Sequence, residues 1–173
     1  MVADKGMMEK KWIIRRYNSY QDYLDGKLPD KIIDATGKEL PGESVFYHNV
    51  LLSEGITEML NLLTGLGTPT AFSNASAYLG VGESTTAADA TQTGLLGTTV
   101  TYKPMETGYP TISGGTVTWR SVFDGVSANN AWQEFTVANG SDNTAVNLNR
   151  KVDDQGTKAS GQTWTLDLEI TWS

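Results

Sequence analysis

Cysteine is absent from the 173 residues, and histidine occurs once, at position 48. The first absence excludes a disulfide framework and any thiolate zinc site, and it leaves the redox compartment unread. The second excludes most metal clusters other than all-oxygen ones and leaves a hydrolytic triad with a single possible base. Positive charge is scarce too: 13 Lys and Arg stand against 20 Asp and Glu, a formal net charge of -7. A chain with that balance is not expected to bind nucleic acid, whose phosphates it could not neutralise. No run approaches the ~20 apolar residues of a membrane span. The opening "MVADKGMMEKKWIIRR" lacks the continuous apolar stretch of a signal peptide, so neither a membrane nor signal-directed secretion is expected.

What is present points to a folded, loop-rich β protein. Hydrophobic residues make up 39% of the chain, and 18 glycines sit among Thr, Ser and Asn clusters. Charge is unevenly placed. Residues 1–50 hold 8 Lys/Arg and 8 Asp/Glu, so the other 123 residues, with 5 against 12, supply the whole of the -7.

Residues 1–44 read as an extended N-terminal arm, broken by Gly26, Pro29, Gly37, Pro41 and Gly42. Trp12, Ile13, Ile14, Tyr17, Tyr20, Tyr23 and Leu24 make it too apolar for a solvated tail. It packs either on its own domain or, the preferred reading, on another subunit. Removal of residues 1–40 is therefore expected to leave a folded domain. Over residues 45–173 the pattern is a β-sandwich with one helix at about 53–64. Ser53 is placed to cap that helix, Ile56, Met59, Leu60 and Leu63 form a stripe expected to cover the sheet, and Gly65 or Gly67 ends it.

Six strands follow: "SAYLGVG", "TTVTYKP", "GTVTWRSVF", "AWQEFTVAN", "AVNLNRKV" and "TWTLDLEITW". In the last, Trp164, Leu166, Leu168, Ile170 and Trp172 alternate with Thr165, Asp167, Glu169 and Thr171, which gives one buried and one wet face. A carboxyl end held in a sheet is expected to tolerate fusion or deletion poorly. The fold class is mainly β: an antiparallel β-sandwich, jelly-roll-like or Ig-like, with one short α-helix and the extended arm.

No stretch carries a convincing catalytic signature. "YLGVGESTT" has glycines spaced like a phosphate loop, but Glu83 stands where a cation would help and no lysine occurs between Lys38 and Lys103. A third glycine and a following helix are also missing, so the segment reads as a strand end with a turn. His48, alternating with Phe46 and Val50, reads as a packed or partly exposed strand residue. Asp142, Asn143, Asp153 and Asp154 could hold calcium, but without the spacing of a calcium loop they read as Asx turns. Asp124 and Glu134 are not distinguished from strand-edge acids. Trp119, Trp164 and Trp172 share strand faces with aliphatic residues and read as core, whereas Trp132 is uncommitted and could stack on a sugar ring. No cofactor or metal is expected.

The order "NVLLSEGITEMLNLLTG", "FSNASAYLGVGESTTAADATQTGL", "VTWRSVF", "NNAWQEFTVANG", "LNRKV" and "GTKASGQTWTLDLEITWS" resembles small β-rich virion proteins of tailed bacteriophages, of the capsid-decoration or tail-appendage kind. The resemblance covers about residues 49–173. It implies a protein without enzymatic activity, made in the host cytoplasm and placed on the outer capsid surface. There it would bind the major capsid protein, or a tail protein, as a homotrimer or homodimer. On that reading the arm clamps neighbouring subunits: Trp12, Ile13, Ile14, Tyr17, Tyr20 and Tyr23 are the anchors, and Arg15 and Arg16 pair with acidic capsid groups. A carbohydrate-binding module using Trp132 is the alternative from another class.

Overall fold

Period-two alternation sets the architecture. In β12 (Thr163–Trp172), Trp164, Leu166, Leu168 and Ile170 point inward and are fully buried. The strand lies in the middle of an antiparallel sheet ordered β4-β1-β12-β9-β8, where β1 is Met8–Tyr17, β4 Glu43–Tyr47, β8 Thr111–Ser113 and β9 Thr116–Phe123. A second antiparallel sheet has the order β5-β11-β10-β6-β7, with β5 Val50–Leu51, β6 Tyr78–Gly82, β7 Val100–Pro104, β10 Glu134–Ala138 and β11 Asn149–Val152. These spans come from a computed structural model that describes residues 8–173. The first seven residues of the expected arm lie outside the described residues. No helix among the described residues is long and apolar enough to cross a membrane.

The inner faces of the two sheets meet in one core. Trp12 stacks on Phe46 at 6.2 Å between ring centroids, and both lie against Phe135 of the opposite sheet. Trp132 packs edge-on against Phe123 at 4.8 Å and Trp164 at 4.9 Å. The expected sandwich and the six expected strands are all present.

The arm is different from the expectation. From Met8 onward it is an inner strand of the first sheet: β1 pairs with β12 along its whole length, Met8 opposite Trp172 and Tyr17 opposite Thr163, and with β4 on its other side. Residue 44 marks no structural break. The physical reason is that Trp12, Ile14 and Arg16 alternate with Ile13, Arg15 and Tyr17, so that Trp12 and Ile14 fill the interior of the same domain. Removing residues 1–40 would remove this strand.

The rest of the expected arm wraps one end of the sandwich as helix α1 (Tyr20–Leu24) and a small hairpin, β2 (Ile32–Ile33) with β3 (Glu39–Leu40). Asp34 fastens the hairpin. Its carboxylate accepts from the Thr36 N–H at 2.8 Å, the Thr36 hydroxyl at 2.7 Å, the Lys38 N–H at 3.0 Å and the Thr157 N–H at 3.0 Å. Burial pushes this carboxyl up, but the hydrogen bonds outweigh it and hold it at about 2.

Helix α2 (Ser53–Thr64) occupies the expected place and ends at Gly65, whose φ is 69°. Ser53 is its first helical residue rather than its cap. Gly55 seats the helix: a Cβ there would run into the backbone of Leu148. Met59 packs on the core, but Ile56, Leu60 and Leu63 face solvent, contrary to the expected covering stripe.

Trp172 is also an exception, 42% exposed at the last position of β12. Trp164→Ala should therefore cost about 3–5 kcal/mol in urea unfolding, whereas Trp172→Ala should cost under about 1 kcal/mol. For Asp34 the folded carboxyl is depressed, so its contribution is present above the ordinary value and lost as pH falls toward 2. The stability gap between the wild type and Asp34→Asn should shrink by about 2 kcal/mol between pH 5 and pH 2.

Candidate interaction surfaces

The expected anchor residues separate into three groups. Trp12 and Ile14 are core, and Arg16, 1% exposed, lies with its guanidinium 4.6 Å from the Trp164 ring centroid. Arg16 donates to the carbonyl oxygens of Pro41 at 3.0 Å and Gln155 at 2.9 Å and to the Ser44 hydroxyl at 2.7 Å. Burial pulls it down to about 10, against the opposing influence of the Asp34 charge. It is not available to an acidic partner.

Ile13, Arg15 and Tyr17 lie on the outer face of the first sheet. Ile13 and Tyr17 are buried there, and Arg15 pairs within its own chain, with Glu43 and Asp167, each at 2.8 Å. Asp167 also receives a bidentate grip from Arg120, at 2.7 and 2.6 Å. One buried carboxylate thus joins two strands through their guanidinium groups.

Tyr20 and Tyr23 are the anchors that keep contact with solvent. Ser19 caps α1 by accepting from the Asp22 N–H at 3.1 Å, and the Tyr23 ring packs edge-on against Tyr17 while its hydroxyl donates to Glu106. Burial and that carboxylate both push the Tyr23 phenol up. Between α1 and the β7 end lies a groove of about 390 Å³, whose lining includes Tyr20, Leu24, Lys103, Met105 and Glu106. Further along the same segment Leu28, 86% exposed, and Ile33 extend the row of exposed apolar residues that Tyr20 and Leu24 begin in the sequence.

The glycine-rich segment is the strand β6 and the loop after it. Gly80 lets the Tyr102 ring and the Thr136 methyl approach, where a Cβ would be 2.7 and 2.8 Å from them. The loop, residues 83–99, is held by a buried ion pair. Glu134 accepts from the N–H groups of Gly97 at 2.7 Å and Leu96 at 2.9 Å, and meets the Arg150 guanidinium at 2.7 Å. Arg150 in turn donates to the Thr86 carbonyl at 2.8 Å and to Gln92 at 3.0 Å. Both charged side chains are fully buried. Nothing in the sequence singled out this pair: each partner looked like an ordinary strand charge.

The other candidates are spent locally. Asp124 accepts from Ser127 and faces Lys103 at 3.5 Å, away from any shared role with Glu134. Asp142 closes a turn on Thr144, Asn143 bonds Leu95, Asp153 pairs with Lys151 and Asp154 accepts from Gly156. Among the described residues no group of three or more His, Asp and Glu could hold a metal ion. Trp132 is fully buried, which removes it as a sugar platform. His48 is exposed at a left-handed φ of 65°, where the chain crosses from one sheet to the other. It borders a cleft of about 470 Å³ with Asn49, Thr85 and Lys151.

No family model, curated protein or solved structure matches the chain.

Arg150→Ala would leave Glu134 buried and unpaired. It should cost about 3–5 kcal/mol and release hydrogen-exchange protection at Leu96 and Gly97, measured by mass spectrometry.

Proposed function

We propose that this is a non-enzymatic virion protein of a tailed bacteriophage that binds and stabilises the outside of the capsid. The observation that carries the reading is that one segment of the chain leaves Tyr20, Leu24, Leu28 and Ile33, a row along the sequence, exposed on a sandwich whose interior is already filled. Full burial of such side chains is worth ~1.5–3 kcal/mol each, before the costs of ordering and association. The charges interspersed along the same segment are already paired within the chain, Asp22 with Lys27 and Lys31 with Glu39, which leaves its apolar side chains as the groups without a partner to supply affinity. The resemblance of residues 49–173 to virion proteins supports the same reading. The row replaces the longer set of anchors expected from the sequence, most of which the fold consumes.

A rigid docking body suits a load-bearing shell. With α1 and the hairpin following directly on β1, force on these side chains would pass into an inner strand of the first sheet.

Purified protein mixed with expanded, empty capsids of its phage should co-sediment and saturate. Leu28→Glu, at an exposed site that leaves the fold intact, should weaken that binding at least about tenfold, or ~1.4 kcal/mol. Absence of binding to shells, or a variant that binds as the wild type does, would overturn the reading. Binding to tails instead would move the protein to that part of the virion.

A further inference from the structure

We infer that the outward face of α2 is a self-association surface, on which two copies of this chain pair antiparallel about a two-fold axis near Leu60. The inference does not depend on the virion reading.

The helix is seated by Gly55 and Met59, which turns Ile56, Leu60 and Leu63 away from the body. At 100° per residue these three positions fall within an arc of about 60°. Their spacing of four and then three residues is that of the seam along which one helix receives another. Leu63 is 82% exposed, and Leu66, the residue after the Gly65 cap, is 65% exposed. A contiguous patch of this kind marks an interaction site.

Charge selects the occupant. From Met59 to Gly82 there is no Asp, Glu, Lys or Arg, the longest such run in the sequence. The two acids of α2 are turned inward: Glu54 accepts from the Asn147 N–H at 2.8 Å, and Glu58 from the Asn139 amide at 2.9 Å and the Thr70 N–H at 2.7 Å. The exposed remainder of the helix, Ser53, Thr57, Leu62 and Thr64, is neutral, as is the half-buried Asn61. Two copies each carrying a net charge of -7 repel wherever acidic surfaces meet. A two-fold axis also sets the groups beside it near their own images, so the centre of a self-complementary contact must be free of like charges. The α2 face meets that condition, and its lack of cations gives an acidic partner nothing to recognise.

Area sets the strength. A helix of 12 residues is ~18 Å long, so the paired helices with their Leu66 flanks bury less than the roughly 800 Å² per partner of stable complexes. Association in the micromolar range, dependent on concentration, is therefore expected.

Sedimentation velocity on the full chain, from low micromolar to several hundred micromolar, should show the mass doubling. Leu60→Glu should abolish the dimer at every concentration while far-UV circular dichroism and melting temperature stay unchanged. Leu63→Glu should do the same from the most exposed position, which keeps the test valid if the first variant misfolds. An equimolar mixture of Leu60→Glu with Leu60→Lys should recover a mixed dimer by native mass spectrometry. A monomeric wild type would give the face to a foreign partner and overturn the proposal. So would a dimer indifferent to both glutamates, or complementary variants that fail to pair. Shell binding is read in a separate assay, so failure of one reading leaves the other standing.

Discussion

The pairing of β1 with β12 is the constraint from which the rest follows. Residues more than 150 positions apart along the chain, such as Lys11 and Glu169 at 3.0 Å, are held side by side. The pairing places Trp12 and Ile14 beside Leu166 and Leu168 on one inner face, and the second sheet closes over them. It also fixes where the following chain can go. Arg16 must turn inward onto Trp164, α1 must fold back over Tyr17, and the hairpin must dock on the strand-connecting loops through Asp34. What the segment leaves exposed is only what lies beyond those attachments.

Polar groups inside the fold organise its loops. The Glu134–Arg150 pair is costly to bury on its own, and its environment compensates it: backbone N–H groups of the 83–99 loop supply donors, and the Thr86 carbonyl and Gln92 supply acceptors. A long loop with no secondary structure thereby gains a fixed course. Asp167, shared between Arg15 and Arg120, does the same for the outer face of the first sheet. Lys158, fully buried, directs its ammonium to the carbonyls of Asp124 and Ser127 and to Asn129, and so holds the 124–129 turn.

Local signals were legible in the sequence and non-local ones were not. The span of α2 follows from its apolar period and Gly65, and six strands follow from alternation between turn residues. The burial of "WIIRRY" required a partner that only the far end of the chain supplies. Ile13, Tyr17, Tyr20 and Leu24 also fall at helical spacing, so a segment this short does not by itself distinguish strand from helix. The stripe on α2 is legible, but only Met59 of it packs on the core, because the small residue that faces the body, Gly55, carries no hydrophobic signal. Trp172 continues the inward pattern of β12 by spacing alone, yet it stands at the strand's end, half-exposed. The Glu134–Arg150 pair depends on two strands coming into register, which neither residue's neighbours announce.

The order of synthesis gives "KKWIIRR" a second meaning. At ~5–20 residues per second the ribosome needs roughly 8–30 s after β1 to make β12, and through that interval Trp12, Ile13 and Ile14 are a short apolar segment without its β12 mate. The basic pairs on either side act as gatekeepers that keep such a segment from joining another chain. When β12 emerges, its Asp167 and Glu169 meet Arg15 and Lys11 on the outer face, and Trp164 receives Arg16 on the inner one. The charges that held the strand apart then select its register.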